Sequence, residues 1–293
     1  MNPSVSSLDA TTVQQLQSWV GRTETLHDDI SLAPLRGFSA TLDRDDPLPA
    51  VGTPVPPLAH WLYFLPQHLQ REIGPDGHAA RGGFLPPVPL PRRMWAGSQV
   101  SWNADNLLRG GDAVHRVSRI DSVRHKAGRS GDLLFVRVVH EVFNARGLAL
   151  TDAHDIVYRP AARPGEAAPV PVAARTDALW QREIFGDPVL LFRYSALTFN
   201  GHRIHYDRPY VTEVEGYPGL IVHGPLVATL MVDLVRRYRP DTPIRGFEFK
   251  ALRPTFDGHP FRVHARPTDD PSTIDVWASD HAGWLTMQGQ VRL

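Results

Sequence analysis

The chain has 293 residues, with 31 basic and 31 acidic side chains and a formal net charge of zero, which excludes the basic footprint of a nucleic-acid binder. It has no cysteine, which excludes disulfides, thiolate metal sites and a cysteine nucleophile. No segment approaches the roughly 20 apolar residues of a membrane span, and residues 1–21 lack the basic and apolar regions of a signal peptide, so a cytoplasmic protein with no membrane partner is expected.

Residues 8–20 place Val13, Leu16 and Val20 at helical spacing and predict a short lead-in helix. After a proline-rich loop, the unbroken apolar run at 58–65 predicts a buried helix that Pro66 kinks or ends. Beyond a second proline-rich loop the period changes to two. Val100, Trp102 and Ala104 alternate with polar residues, then Leu134, Val136, Val138 and His140, then Ala153, Asp155 and Val157. Gly110, Gly111, Gly128, Gly131 and Gly147 punctuate these runs as turns. The pattern is an antiparallel meander of about four strands. Residues 160–175 are rich in proline and alanine without apolar periodicity, which predicts a linker.

The second half repeats the plan. Residues 221–239 form the clearest helix, with Leu226, Leu230, Leu234 and Tyr238 in steps of four and Val227, Met231 and Val235 one position on. Gly224 suits the N-cap and Pro225 the first helical position. Arg236, Arg237 and Arg239 suit the C-terminal end of the dipole, and Pro240 stops the helix. Four alternating runs follow, around Phe247 to Ala251, Phe261 to Ala265, Ile274 to Ala278 and Leu285 to Leu293. A helix followed by antiparallel strands, twice over, predicts an α+β protein built as a double hotdog. Its parts would be an N-terminal hotdog over residues 1–159, a linker over 160–175 and a C-terminal hotdog over 176–293. The order argues against a parallel α/β sheet, where helices and strands alternate.

Chemistry concentrates between residues 200 and 225. His202, His205 and Asp207 offer an H-x-x-H-x-D metal pattern. On a helix, however, His202 and His205 share a face that Asp207 does not, so no metal is expected. Asn200 and Gly201 form a strong turn dipeptide. The Gly224-Pro225 start leaves backbone N–H groups free to meet an anion or a developing oxyanion, and glycine permits close approach. His223 is read as a wall of the site. Arg92 and Arg93, near Trp95, suit either the phosphates or the carboxylate of a small-molecule ligand, or a solvated charge pair. No G-x-S-x-G and no G-x-G-x-x-G after a strand is present, which disfavours a serine hydrolase and a dinucleotide enzyme.

Residues 194–207, running from Tyr194 through Phe199, Asn200, Gly201, His202, Arg203, Ile204 and His205 to Asp207, together with Ile221 to Leu226, resemble the hydratase motif of the MaoC-like hotdog family. The resemblance is nearest to the two-hotdog branch that contains mesaconyl-C4-CoA and itaconyl-CoA hydratases. It implies reversible hydration of an enoyl-CoA thioester, with CoA thioesters as substrates and no cofactor. In the family motif an Asp and a His five residues apart hold the reacting water. His205 matches the histidine and Gly224 the helix-start glycine that polarises the thioester carbonyl. Asn200 stands where the family has its Asp, and an amide cannot exchange a proton at neutral pH. Asp207, Asp43 or Asp45 could supply a replacement carboxylate. His223, His202 and Tyr206 are expected beside the substrate. The first half has no counterpart of His205, so one site per chain is expected, and a homodimer is compatible with the fold. A thioesterase on the same fold and a non-catalytic acyl-CoA-binding protein are the alternatives.

Overall fold

The computed structural model describes residues 8–80, 82–128, 131–161 and 170–293. The lead-in helix α1 (Ala10–Gln17) is shorter than its periodicity suggests. Asp9 caps it by accepting from the Thr12 N–H at 2.7 Å, and only Leu16 is buried. Two elements precede the proline-rich loops, the strand β1 (Thr23–Asp29) and the helix α2 (Leu32–Thr41). Four strands follow, β2 (Arg92–Trp102), β3 (Ala113–Gly128), β4 (Gly131–Asn144) and β5 (Gly147–Arg159). β2 ends at Trp102, short of Ala104. In β4, burial alternates through Leu134, Val136 and Val138, as a half-buried strand requires. The expected linker lies partly outside the described residues. Its described end pairs Ala173 with Trp284.

The second half opens with β6 (Trp180–Phe185) and α3 (Pro188–Leu197), continues through α4 (Gly224–Tyr238), and closes with β7 (Gly246–Ala251), β8 (Pro260–Pro267), β9 (Thr273–Ser279) and β10 (Leu285–Arg292). All ten strands join one antiparallel sheet in the order β1-β3-β4-β5-β2-β7-β10-β9-β8-β6. Each half therefore uses the same order, and the halves meet edge to edge where β2 pairs with β7, from Gly97 opposite Lys250 to Ser101 opposite Gly246. β1 and β6, which the apolar patterning does not predict, are the two outer edges. Both carry charged and polar side chains, as edges exposed to solvent commonly do.

The sheet wraps α4. Ten consecutive helix residues from Leu226 to Val235 are buried, so nearly the whole circumference of the helix faces protein. Each buried Leu, Val or Met side chain there contributes roughly 1.5–3 kcal/mol. One of the ten is Asp233, which receives Arg44 at 2.8 Å from the first half, Arg182 at 3.1 Å and Arg237 at 2.7 Å. Among the described residues no helix is long and apolar enough to cross a membrane.

The run at 58–65 departs from expectation. It is buried, but it forms only a single 3-10 turn, Ala59–Leu62. Leu58 and Phe64 take positive φ values of 67° and 54°, which no α-helix accommodates, and Pro56, Pro57 and Pro66 remove flanking donors. The turn is instead held by side chains. Buried Asp152 accepts from Trp61 at 2.7 Å, pairs with His60 at 3.1 Å and His154 at 2.8 Å, and receives the Ser98 hydroxyl. The first half thus has a polar centre where the second has a long helix.

Candidate active site

α3 ends in a Schellman motif. Phe199 takes φ 48°, the Asn200 N–H donates to the Ser195 carbonyl at 2.9 Å, and the Phe199 N–H donates to Ala196 at 3.4 Å. Asn200 then folds its own side chain forward, Oδ1 accepting from the His202 N–H at 3.0 Å. This Asx turn, characteristic of Asn and Asp, aims the next residues inward. Arg203–His205 form one 3-10 turn, and the Ile221 N–H donates to the Ile204 carbonyl at 3.0 Å, which fixes the turn beside the entry to α4.

His205 is buried, and its Nδ1 lies 2.7 Å from the Ile221 carbonyl oxygen. A carbonyl only accepts, so Nδ1 carries the proton and Nε2 keeps its lone pair. The His205 ring stacks on His223 at 3.7 Å between centroids, and His223 Nε2 lies 2.8 Å from the Ser195 hydroxyl. His223, not Gly224, is the N-cap of α4. No side chain caps this helix end, and Pro225 removes one further donor. Space is open within 4 Å of the position a Gly224 Cβ would take. The His205 ring thus stacks on the residue from which α4 starts, His223. Uncapped first-turn N–H donors suit an oxygen that gains charge.

A second histidine arrives from the first half. Gly74-Pro75-Asp76-Gly77-His78 is a tight hairpin tip, with the Gly77 N–H bonded to the Gly74 carbonyl at 3.0 Å and the Gly74 N–H to His78 at 2.7 Å. The tip is seated on the 201–203 loop. The Arg203 N–H donates to the Asp76 carbonyl and its guanidinium to the Pro75 carbonyl, both at 2.9 Å. Gly77 has φ 88°, and a Cβ there would sit 1.8 Å from the Gly201 carbonyl oxygen, so only glycine allows this approach. The contact brings the His78 ring to 3.9 Å from His202, which lies edge-on to His205 at 5.5 Å. The Asp76 carboxylate binds His78 twice, at the backbone N–H and at Nδ1, each at 3.0 Å.

The row His78, His202, His205 and His223 is poor in charge. Burial first, then His78, pushes His202 down to about 2. Burial also pushes His205 down to about 4, partly opposed by its bond to Ile221. Burial holds His223 well below its ordinary value too. Asp76 stays ionised, held below the usual carboxylate range chiefly by its hydrogen bond from His78.

The other expected residues fall as follows. Asp207 turns away from the row to pair with Arg203 at 2.7 Å and to accept the Tyr210 N–H at 3.1 Å, so the H-x-x-H-x-D pattern does not converge on one point. Donor atoms of Asp76, His78 and His202 do lie within 4.8 Å of one another, a trio the sequence pattern does not contain. Tyr206 is exposed, and its hydroxyl donates to the Gly201 carbonyl at 3.1 Å. Asp43 and Asp45 lie near the opposite end of α4, where Arg237 donates to the Asp43 carbonyl at 2.9 Å. A 15-residue helix separates them from His205 by roughly 20 Å. Arg92 donates to the Tyr217 hydroxyl at 2.7 Å. Arg93 has no carboxylate partner among the described residues, and its charge reaches His202. Asp76 and His78 were not read from sequence, although Pro-Asp-Gly is a turn signature that marks the tip.

The chain resembles known proteins in both sequence and fold. The sequence profile of hydroxyacyl-thioester dehydratase type 2 matches residues 58–257. The chain is 46% identical over 273 residues to mesaconyl-C(4)-CoA hydratase of Chloroflexus aurantiacus, covering 92% of this chain and 95% of that protein. A MaoC-like dehydratase from Phytophthora capsici superposes with a TM-score of 0.69 at 13% identity, over 96% of this chain and 97% of the other. A Mycobacterium tuberculosis protein described as a double hotdog superposes with a TM-score of 0.54 at 13% identity, over 93% and 96%. The chain therefore belongs to the hydroxyacyl-thioester dehydratase type 2 family, a MaoC-like double-hotdog hydratase.

Proposed function

We propose that the protein adds water reversibly to a branched C5 dicarboxyl enoyl-CoA, itaconyl-CoA or mesaconyl-C4-CoA, to give citramalyl-CoA. The observation that carries the reaction is the His205 Nδ1–H bond to Ile221, which leaves Nε2 unprotonated beside the uncapped start of α4. For mesaconyl-C4-CoA, whose Cα=Cβ bond is conjugated with the thioester, His205 Nε2 takes a proton from water as the oxygen bonds to Cβ; itaconyl-CoA carries its alkene at Cβ=CH2 and enters this scheme only after a proton moves from Cα to that methylene. The alkene electron pair moves into the thioester, and the negative charge on its oxygen meets the Gly224 N–H. Collapse of that enolate takes the proton from His205 onto Cα. One such N–H is worth roughly 2.7–4 kcal/mol in comparable oxyanion sites. Asn200 orients the His202 backbone and hence the loop that carries His205. Each proton and the thioester oxygen have a protein group, so the scheme calls on no cofactor.

The substrate class is supported by the relative named mesaconyl-C(4)-CoA hydratase. It is also supported by Arg93, a half-buried cation without a carboxylate partner among the described residues, and by its neighbour Arg92 on β2. A free substrate carboxylate fits such a cation. The test is steady-state hydration of itaconyl-, mesaconyl- and crotonyl-CoA, followed by loss of enoyl thioester absorbance for the conjugated mesaconyl and crotonyl thioesters and by chromatographic measurement of the hydroxyacyl-CoA product for all three. The dicarboxyl thioesters should be preferred, and Arg93→Gln should raise their KM while leaving that of crotonyl-CoA unchanged. Equal preference for crotonyl-CoA removes the substrate assignment, and thiol release without hydration replaces the hydratase with a thioesterase.

A further inference from the structure

We propose that Asp76 and His78 are positioning residues of the reaction centre, the ionised carboxylate acting through His78 and His202 to steady the positive charge that forms on His205 as it takes a proton from water. The inference rests on the hydratase reading. It begins with a deficit. The position expected to hold a carboxylate is Asn200, whose Oδ1 is occupied by the His202 N–H, and Asp207 is committed to Arg203. His205 accordingly has no carboxylate of its own within the motif.

The hairpin tip supplies one, Asp76, from 129 residues earlier in the chain. Both Asp76 oxygens are bound to His78, which fixes the ring with Nδ1 toward the carboxylate. From there the rings follow one another at 3.9 Å and 5.5 Å to His205. The docking is specific, because the tip contacts the 201–203 loop through two backbone acceptors and through a Gly77 approach that excludes any side chain. The Asp76 and His78 side chains keep 40% and 30% of their surface while His205 is buried, so the carboxylate acts on His202 directly and on His205 only through that ring.

The groups facing the row from each packed element are few. The tip contributes Asp76 and His78. β2 contributes Arg93, whose charge opposes protonation of His202. The 3-10 turn contributes Arg203, neutralised by Asp207. The entry to α4 contributes His223, bonded to Ser195. Asp76 is thus the negative charge on this row among the described residues, and its field favours a proton on His202. When His205 becomes an imidazolium, the proton stays on its Nε2 until it passes to Cα. No further oxidant, reductant or co-reactant enters.

The experiment compares wild type with Asp76→Asn, Asp76→Glu and His78→Gln, in full-length protein and on the enoyl-CoA that wild type turns over. Asp76→Asn should lower kcat roughly 10- to 100-fold, with KM within about threefold, because the lost term acts on charge in the transition state. The acidic limb of the pH profile should move to lower pH, since removing a nearby carboxylate makes imidazole harder to protonate. Asp76→Glu should restore most of kcat, and His78→Gln should lower kcat as Asp76→Asn does but raise the His205 midpoint, because His78 itself opposes a proton there. NMR titration of His202 and His205 in the free protein supplies an arm that needs no substrate, and both midpoints should fall in Asp76→Asn. Wild-type kcat with an unmoved limb, or unmoved titrations, overturns the inference. So does activity that a chelator abolishes and zinc restores only when Asp76 is present, which would make the trio a metal site. Failure of the wild type on every enoyl thioester would instead defeat the hydratase reading, and the titration would still decide the electrostatic role.

Discussion

His205→Gln should separate catalysis from acid stability. In the native protein, burial, partly opposed by the bond to Ile221 and reinforced by His78, holds this ring at about 4 instead of 6.5. That displacement is about 3 kcal/mol of preference for the neutral ring. The unfolded chain takes up the proton once pH falls below about 6.5, while the native protein refuses it until about 4. Unfolded molecules therefore bind more protons across this window. The stability attached to His205 is fully present above the window and is lost progressively as pH falls through it. Glutamine can still donate to the Ile221 carbonyl but has no proton to gain. Between pH 7 and about 4, the variant should lose up to about 3 kcal/mol less stability than wild type. His202 and His223 remain in both proteins, so the difference isolates one ring. Urea unfolding followed by tryptophan fluorescence at several pH values measures it. Turnover of the same variant at pH 7 should drop roughly 10²- to 10⁴-fold, the usual yield of a positioned base. Identical acid sensitivity in the two proteins would refute the buried, neutral histidine. Turnover within about threefold of wild type would refute its role as base.

Asn200→Asp should keep the Asx turn, because a carboxylate oxygen accepts the His202 N–H as well as an amide does; hydration should be retained or raised, and complete loss would show that the amide is needed as a donor. Gly77→Ala should unseat the hairpin tip, since its Cβ would lie 1.8 Å from the Gly201 carbonyl oxygen at φ 88°. Its thermal unfolding should report a loss of about 1–3 kcal/mol, and unchanged kcat would show that the tip is dispensable. Asp233→Ala leaves Arg44, Arg182 and Arg237 without their shared carboxylate. Because two of those arginines keep some solvent, the cost in denaturant unfolding should be about 3 kcal/mol, toward the lower end for a broken buried pair, and a variant as stable as wild type would deny the cluster any part in joining the halves.

The parts of this fold legible in the sequence are those whose signal is local. α4 declares itself through i+4 apolar steps, and β7 to β10 declare themselves through apolar alternation in the sequence, although consecutive residues such as Val263 to Ala265 and Val276 to Ser279 are buried. The Phe199 to Asp207 motif is legible for the same reason, being contiguous. β1 and β6 escape notice because edge strands bury little and carry polar residues on both faces. The 58–65 segment misleads because apolar content reports burial, while two positive φ values and flanking prolines decide the conformation. Asp76 and His78 are the instructive omission. Their meaning depends on a contact with residues more than a hundred positions away, and nothing at hairpin range distinguishes an active-site tip from an ordinary turn.

The internal repeat explains why one chain builds one such centre. α2 and α3 end in the same motif, with Asp43 and Phe199 both at positive φ and the next residue donating to a serine, Arg44 to Ser39 and Asn200 to Ser195. From that shared turn the halves diverge. Arg44 runs to Asp233 and Asp46, beside Arg236 and Arg237 at the negative end of the α4 dipole. Asn200 leads to His205, beside the positive end of the same helix. That end disfavours an imidazolium and favours the anionic oxygen of an enolate. In the proposed scheme a base kept neutral and an oxyanion kept charged are both needed for hydration, and one helix terminus would serve both. The first half has only the 3-10 turn Ala59–Leu62 in the equivalent place, a single turn with no comparable dipole. Its contribution is made instead through the hairpin tip, which brings a negative charge to a site that the second half leaves without one.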